Sequence, residues 1–164
     1  MNIIAAADLN WGIGKDNDLL DNIPEDMKFF RETTTGKVVI LGRKNLESFP
    51  GAKPLKNRTN IILTRNKDFE CEGAVVCTSI GEVLSLGYDE EEMFVIGGEE
   101  IYKQMLEFCD TCFVTKVKKT VPADKFMVNL DESDEWELFE MSEEIEDNGH
   151  IITFCTYRRI KEGE

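Results

Sequence analysis

The hydrophobic positions of the chain form short apolar runs that alternate with segments of helical periodicity. Residues 38–41 and 93–96 are uninterrupted apolar runs, which are typical of strands covered on both faces. After the second run, Ile101, Met105 and Phe108 are spaced to occupy one face of a helix. This alternation of buried strands and amphipathic helices predicts βαβ units around a mainly parallel sheet.

We predict an α/β fold with a central sheet of about eight strands, flanked by about four helices. The predicted strands cover residues 2–7, 38–41, 60–64, 74–77, 93–96, 113–117, 136–141 and 151–157. The predicted helices cover residues 24–35, 43–48, 79–87 and 99–108, and residues 8–22 are predicted as a long polar loop. No repeat or linker divides residues 1–164, so we expect a single domain.

Composition narrows the class of protein. With 164 residues and 41% hydrophobic content, the chain can fill one core and is too apolar for disorder. No apolar run reaches the roughly 18 residues of a membrane span, and the first residues carry no basic leader, so we expect neither a membrane span nor a secretion signal. Five cysteines, an odd number, favour reduced thiols in the cytoplasm. Cys109 and Cys112 form one close pair, but packing as small hydrophobes is favoured over a metal or redox site.

The charge is strongly negative and unevenly distributed. A formal net charge of −14 would repel a polyanion, so nucleic acid is not expected as a partner. Residues 1–67 contain 11 basic and 8 acidic residues, whereas residues 68–164 contain 8 basic and 25 acidic residues. A site for a small anion should therefore take its cations chiefly from the first part of the chain.

Two predicted strand ends carry residues suited to phosphate groups, and ligands of open parallel sheets bind at the carboxyl ends of strands. Gly42-Arg43-Lys44-Asn45 places two cations at the start of a helix, whose free N–H groups favour a phosphate, although these residues also fit an ordinary surface turn. Leu63-Thr64-Arg65 adds a hydroxyl and a guanidinium. Because the Arg fork suits a terminal phosphate, a dinucleotide bound here is expected to be NADP rather than NAD.

A third strand end contains paired glycines. In Ile96-Gly97-Gly98-Glu99 the glycines would let a cofactor approach the backbone closely, but glycine between a strand and a helix is also common without a ligand. The Rossmann fingerprint is absent after the first predicted strand, where residues 5–8 read Ala-Ala-Ala-Asp. A standard dehydrogenase is therefore disfavoured.

Among the acidic residues, Asp26 is the strongest candidate for supplying a proton. At about 100° per residue, one helix stripe is formed by Ile23, Met27, Phe30 and Thr34, and Asp26 lies at its edge, roughly 40° from Phe30. Partial burial there would raise its pKa toward a range useful for proton supply. The alternative is that Glu25 and Asp26 both complement the dipole of the first helical turn.

A series of short motifs follows in a fixed order along nearly the whole chain. They are Ile4-Ala5-Ala6, Gly12-Ile13-Gly14, Asn22-Ile23-Pro24-Glu25-Asp26, Phe29-Phe30, Val39-Ile40-Leu41-Gly42-Arg43, Leu46-Glu47-Ser48, Asn57-Arg58-Thr59-Asn60-Ile61-Ile62-Leu63, Val95-Ile96-Gly97-Gly98, Ile101-Tyr102, Thr115 and Asp124. In this order the chain resembles the dihydrofolate reductase family. The resemblance implies a sheet with an antiparallel C-terminal edge. It also implies an activity: the reduction of 7,8-dihydrofolate to tetrahydrofolate, in which NADPH transfers a hydride to C6 and N5 is protonated. That reaction supports one-carbon metabolism and the synthesis of thymidylate and purines.

The resemblance also implies residue roles. Asp26 is the implied catalytic acid with Thr115 as its hydroxyl partner, Arg58 would bind the α-carboxylate of the glutamate tail, and residues 14–20 would form a mobile lid. The implied substrate-binding residues are Ile4, Ala6, Asp26, Met27, Phe30, Arg58, Ile96 and Thr115. The implied cofactor-binding residues are Ala6, Ile13, Gly14, Leu19, Gly42, Arg43, Lys44, Asn45, Leu63, Thr64, Arg65, Ile96, Gly97, Gly98, Glu99 and Tyr102. No metal is implied. Implied partners are dihydrofolate, NADPH and diaminopyrimidine or pteridine antifolates, bound by a cytoplasmic monomer.

Three positions depart from the family pattern. Asp21 stands where many relatives carry a Trp that orders a water near the acid, Asn45 replaces a common Thr, and Glu100 occupies a position that is often basic. Two alternatives remain. One is a related reductase of another pterin or a ribosylamino-pyrimidine, which Asp26 together with Arg58 disfavours. The other is a nucleotide-binding module without catalysis, or a Cys-dependent metal protein.

Overall fold

A mixed sheet with helices on both faces organises the chain. The computed structural model describes residues 1–15, 18–19 and 23–160. Its strands are β1 Asn2–Ala7, β2 Gly12–Lys15, β3 Asp18–Leu19, β4 Val38–Gly42, β5 Thr59–Leu63, β6 Ala74–Cys77, β7 Met93–Gly97, β8 Thr111–Val117, β9 Lys125–Phe126, β10 Trp136–Met141, β11 Ile145–Asp147 and β12 His150–Arg159. Its helices are α1 Pro24–Thr34, α2 Arg43–Glu47, α3 Ile80–Ser85 and α4 Glu99–Met105.

The strand order of the central sheet is β10-β12-β8-β1-β7-β4-β5-β6, and β11 pairs with β12 beside this path. The six strands from β8 to β6 are parallel, whereas β12 runs antiparallel to β8, β10 and β11. The predicted α/β class, the mainly parallel sheet and its antiparallel C-terminal edge are thus confirmed. A second sheet, in the order β3-β2-β9, lies outside the central one.

Each face of the parallel strands is covered by its own helices. On one face, Phe29 and Phe30 of α1 and Leu46 of α2 pack with alternate residues of the strands, such as Ile4 and Val39. On the other face, residues of α3 and α4 pack against the intervening positions: Val83, Ile101, Tyr102 and Met105 on the helices, and Ile3, Ile40, Ile61 and Val95 on the strands. The uninterrupted apolar runs therefore follow from burial on both sides.

The predicted strands agree with the observed ones within about two residues, and the largest difference concerns residues 8–22. This segment was expected to be a loop, but β2 and β3 pair within it and β9 pairs with β2. Strands of two to four residues are too short to show an alternating apolar pattern, so periodicity does not reveal them. The helix expected over 99–108 also changes to a 3-10 turn at Leu106–Phe108.

Among the described residues, no helix is long and apolar enough to cross a membrane.

Candidate active site

The carboxyl ends of the parallel strands open into a cavity of about 560 Å³. Both strand ends that carry residues suited to phosphate groups lie in its wall, because β4 and β5 are neighbours in the sheet and end at the same edge. The predicted cofactor-binding residues that line the cavity are Ile13, Gly14, Gly42, Arg43, Lys44, Asn45, Leu63, Thr64, Arg65, Gly98 and Glu99. The structure thus brings together residues from four separate segments of the first hundred positions.

Five predicted cofactor residues are outside the cavity wall. Ala6 and Ile96 lie in the adjacent strands β1 and β7, and Gly97 ends β7. Tyr102 is buried within α4, and its hydroxyl donates to the Ile4 carbonyl at 2.9 Å. Burial raises the pKa of this hydroxyl well above its ordinary value, so it stays protonated and remains a donor. Leu19 belongs to β3.

Sequence reasoning missed several residues of the cavity wall. Thr78 and Ser79 directly follow β6, the strand beside β5, so the same strand-end rule applied to β6 would have found them. Ser79 also caps α3, because its hydroxyl accepts the Glu82 N–H at 3.1 Å. Lys125 reaches the wall from β9, for which the sequence carries no signal. The other missed residues are Ile101 and Gln104, and the wall also contains Glu100, one of the three departures from the family pattern.

The paired glycines form a turn that a larger residue would disturb. Gly97 has a φ of +116°, and a Cβ placed on it would lie 3.1 Å from the Tyr102 ring. The peptide bond between Gly97 and Gly98 is cis. A Cβ on Gly98 would meet no protein atom within 4 Å. The backbone at Gly98 is therefore bare toward the cavity, as a closely approaching cofactor requires.

Two polar side chains of the wall, Arg43 and Asn45, have partners within the protein. The Arg43 guanidinium lies 2.9 Å from the Glu47 carboxylate and 4.7 Å from the centre of the Phe69 ring. Asn45, which replaces the Thr of the family pattern, donates from Nδ2 to the Ile96 carbonyl at 3.2 Å. The wall thus combines guanidinium, ammonium, hydroxyl and bare backbone groups. This donor set fits a phosphorylated dinucleotide.

Asp26 lies in the first turn of α1, and its carboxyl is hydrogen-bonded by the side chain of Thr115 from β8. Burial raises the pKa of Asp26, and the Thr115 hydrogen bond partly opposes this by stabilising the carboxylate. The pKa of Asp26 is thus raised, as expected from its position at the edge of the apolar stripe. Asp147 of β11 accepts the Glu25 N–H at 2.6 Å, so a carboxylate from a distant strand caps α1 beside Asp26.

Most of the residues predicted to hold an aromatic ring system lie on the face of the sheet that α1, the helix of Asp26, covers. Ala6 is the β1 partner of Thr115, and Ile4 lies two residues earlier on the same face. Ile4 and Ile96 are buried, Phe30 is half-buried, and all three belong to the core face covered by α1. Met27 differs from the expected stripe, because its side chain is 53% exposed.

Arg58 lies beside the carboxyl-terminal half of α1. Its Nε donates to the Thr34 hydroxyl at 3.0 Å, one terminal nitrogen donates to the Lys56 carbonyl at 3.0 Å, and its guanidinium lies 5.8 Å from the centre of the Phe30 ring. Burial, and then the charge of Arg31, lower the pKa of Arg58. A cation held by two hydrogen bonds next to a second cation is well placed to bind an anion.

The lid segment is only partly described. The Asp124 N–H donates to the Gly14 carbonyl at 3.0 Å, which fixes the end of β2 against the segment that leads into β9. The departure at Asp21, and Leu20 beside it, lie outside the described residues.

The cysteine pair has buried surroundings. Cys109 and Cys112 are free and almost fully buried, and burial raises the pKa of Cys109 to about 12 and that of Cys112 further. Thiols in such surroundings are poor nucleophiles. In the part of the chain that the structure describes, no group of three His, Cys, Asp or Glu side chains is arranged to hold a metal ion.

Comparisons with known proteins identify the family. The sequence model of dihydrofolate reductase matches residues 1–159. Dihydrofolate reductase from Bacillus subtilis is 36% identical over 161 residues, which cover 97% of this chain and 94% of that protein. The enzyme from Staphylococcus haemolyticus is 38% identical over 165 residues, which cover 98% and 96%.

A solved structure agrees with these sequence matches. Dihydrofolate reductase from Enterococcus faecalis, complexed with NADP(H) and RAB-propyl, superimposes with a TM-score of 0.87 at 33% identity and covers 98% of this chain and 96% of that one. The chain therefore belongs to the dihydrofolate reductase family.

Proposed function

We propose that this protein reduces 7,8-dihydrofolate to 5,6,7,8-tetrahydrofolate, with NADPH as the reductant. The observation that carries the proposal is the half-buried acid Asp26, hydrogen-bonded to Thr115 on the core face that also holds Ile96, one residue before the paired glycines. A single acid of raised pKa beside a cavity suited to a dinucleotide is what a reduction needs when it also takes up one proton.

Asp26 has two tasks in this proposal. Its carboxylate binds the 2-amino and N3 groups of the pterin ring, whose N–H donors match the two carboxylate oxygens. Its raised pKa favours the presence of a proton in the pocket, which reaches N5 through water rather than by direct contact. Thr115 orients the carboxyl and sets how far burial raises its pKa.

The other substrate residues hold the two ends of the molecule. Ile4, Ala6, Ile96 and Phe30, with Met27 at its exposed position, form the apolar slot for the ring system. The Arg58 guanidinium pairs with the α-carboxylate of the glutamate tail, because its planar fork matches a carboxylate. This pair of contacts favours dihydrofolate over a pterin or ribosylamino-pyrimidine that lacks an acyl-glutamate.

NADPH, when bound, supplies the hydride. The chain binds its phosphates through Arg43, Lys44, Thr64 and Arg65, and offers the bare backbone at Gly98 to the nicotinamide end. Tyr102 supports that end indirectly, because its hydroxyl fixes β1 through the Ile4 carbonyl. Gly14 and Leu19 belong to the lid that excludes water from the site, and Ile13 directly precedes it.

A steady-state assay tests the proposal. Purified protein, dihydrofolate and NADPH should give a rapid loss of NADPH absorbance, and NADH should support a much lower kcat/KM. No turnover of dihydrofolate, together with reduction of another pterin or of a ribosylamino-pyrimidine, would establish the alternative reductase. We also propose a cytoplasmic monomer that binds diaminopyrimidine antifolates through Asp26.

A further inference from the structure

Glu99 joins two parts of the cofactor cavity that are distant in sequence. It is the first residue of α4, directly after Gly98, and its side chain is 18% exposed. One carboxylate oxygen accepts the backbone N–H of Phe126 at 2.6 Å. The other oxygen lies 3.6 Å from the Lys103 ammonium, one turn further along α4.

Phe126 belongs to the small sheet that borders the cavity on the lid side. In β9, Phe126 pairs with Gly12 and Lys125 pairs with Gly14 of β2, and β2 in turn pairs with β3. Gly14 and Lys125 line the cavity from this side, whereas Gly98 and Glu99 line it from the side of α4. The Glu99 side chain therefore bridges from the glycine turn to the small sheet formed by β3, β2 and β9.

The charge of Glu99 makes a direct contact with the cofactor unfavourable. The cavity also holds Arg43, Lys44 and Arg65, which suit anionic phosphates, and a carboxylate in the same wall opposes an anion. The Phe126 N–H and the Lys103 ammonium both face this carboxylate. A short hydrogen bond to an ionised acceptor is stronger than a neutral one, so the geometry suits a tether rather than a ligand contact.

We propose that Glu99 is a positioning residue that holds β9, and through it β2, against the Gly97-Gly98 turn and thereby slows the release of NADPH. The inference rests on the proposed function for the identity of the cofactor. It concerns how long the cofactor stays bound, and not the rate of the chemical step.

Glu99→Ala and Glu99→Gln test the tether, and Glu107→Ala is the matched control, because Glu107 is an exposed acid on the turn that continues α4. In the ligand-free protein, Glu99→Ala should speed hydrogen exchange of the Phe126 amide at least about tenfold. NADPH should dissociate from it about tenfold faster in stopped-flow fluorescence, while the KM for dihydrofolate stays constant. Glu99→Gln keeps an acceptor oxygen and should recover most of both losses. Glu107→Ala should behave as wild type.

Two results would overturn the inference. One is unchanged exchange of the Phe126 amide in Glu99→Ala. The other is NADPH binding that is tighter than in wild type, and to the same extent, in both Glu99 variants. That result would mean that the carboxylate only repels the cofactor. A wild-type protein that binds no NADPH would overturn the proposed function and the cofactor role of Glu99 together. A protein that binds NADPH but leaves dihydrofolate unreduced would overturn only the proposed substrate.

Discussion

The side chain of Thr115 in β8 is hydrogen-bonded to the carboxyl of Asp26 in the first turn of α1. Burial raises the pKa of Asp26, and this hydrogen bond lowers it because the hydroxyl stabilises the ionised form. The two opposing effects set the pH range in which the pocket holds a proton.

Thr115→Val removes the hydroxyl and keeps the shape of the side chain. The pKa of Asp26 should then rise further, because burial acts without the opposing hydrogen bond. We expect the pH at which hydride transfer is half-lost to move upward, measured in single turnovers across a pH series. Thr111→Val, at the other end of β8, should leave the profile unchanged. A profile that moves to lower pH in Thr115→Val would contradict the assignment.

Arg58→Leu should weaken the binding of dihydrofolate. The variant loses a charge-assisted bond to the substrate carboxylate, so its KM for dihydrofolate should rise about 10- to 100-fold. The KM for NADPH should stay constant, because Arg58 lies beside α1 and outside the cofactor cavity. Lys56→Leu removes an exposed cation two residues away and serves as the control. Equal effects on both KM values would mean that Arg58 is misassigned.

Arg65→Ser should reduce the preference for NADPH over NADH. Arg65 lies in the cavity wall after β5, where its guanidinium suits a terminal phosphate that NADH lacks. The kcat/KM with NADPH should fall about tenfold or more, and that with NADH should change little. Lys67→Ser, two residues further along, is the control. An equal loss of kcat/KM with both cofactors would mean that Arg65 contacts a part of the molecule that NADPH and NADH share.

Gly97→Ala and Gly98→Ala should have different consequences. Gly97 has a positive φ and a Cβ there would crowd Tyr102, so Gly97→Ala should lower the free energy of unfolding by about 1–3 kcal/mol. A Cβ on Gly98 meets no protein atom, so Gly98→Ala should cost less stability and mainly raise the Kd for NADPH. Denaturant unfolding and fluorescence titration measure the two effects. Equal losses of stability in both variants would count against this distinction.

The parts of the fold that sequence predicts well are those buried on both faces. The apolar run at residues 38–41 lies within β4, and the run at 93–96 lies within β7, since no other structure buries four consecutive apolar residues so easily in an α/β fold. Proline at the first position of α1, and Gly36 with a φ of +81° after its end, also match the expected boundaries.

The missed parts depend on contacts between distant segments. β9 is two residues long and exists because it pairs with β2, and Lys125 enters the cavity wall only through that pairing. Asp147 caps α1 from a strand more than a hundred residues away, which no local capping pattern reveals. The exposure of Met27 likewise depends on how α1 lies on the sheet rather than on helix periodicity.

Asp26→Asn tests the proposed acid, and its stability serves as the control for folding. Because burial raises the pKa of Asp26 in the folded state, ionisation of Asp26 destabilises the fold above that raised pKa, and this penalty disappears below the ordinary value of 3.8. The Asn variant should therefore have a Tm at neutral pH at least equal to that of wild type. A loss of activity then reports on chemistry rather than on unfolding.

The most direct measurement is the rate of hydride transfer in single turnovers of Asp26→Asn and wild type, followed by NADPH absorbance from acid to alkaline pH. The variant should be slower by about 100-fold or more at neutral and higher pH, where the substrate is mostly unprotonated. The difference should narrow toward acid pH, where solvent supplies the proton. A variant that matches the wild-type rate across the whole series would contradict the role of Asp26 and, with it, the mechanism proposed for this protein.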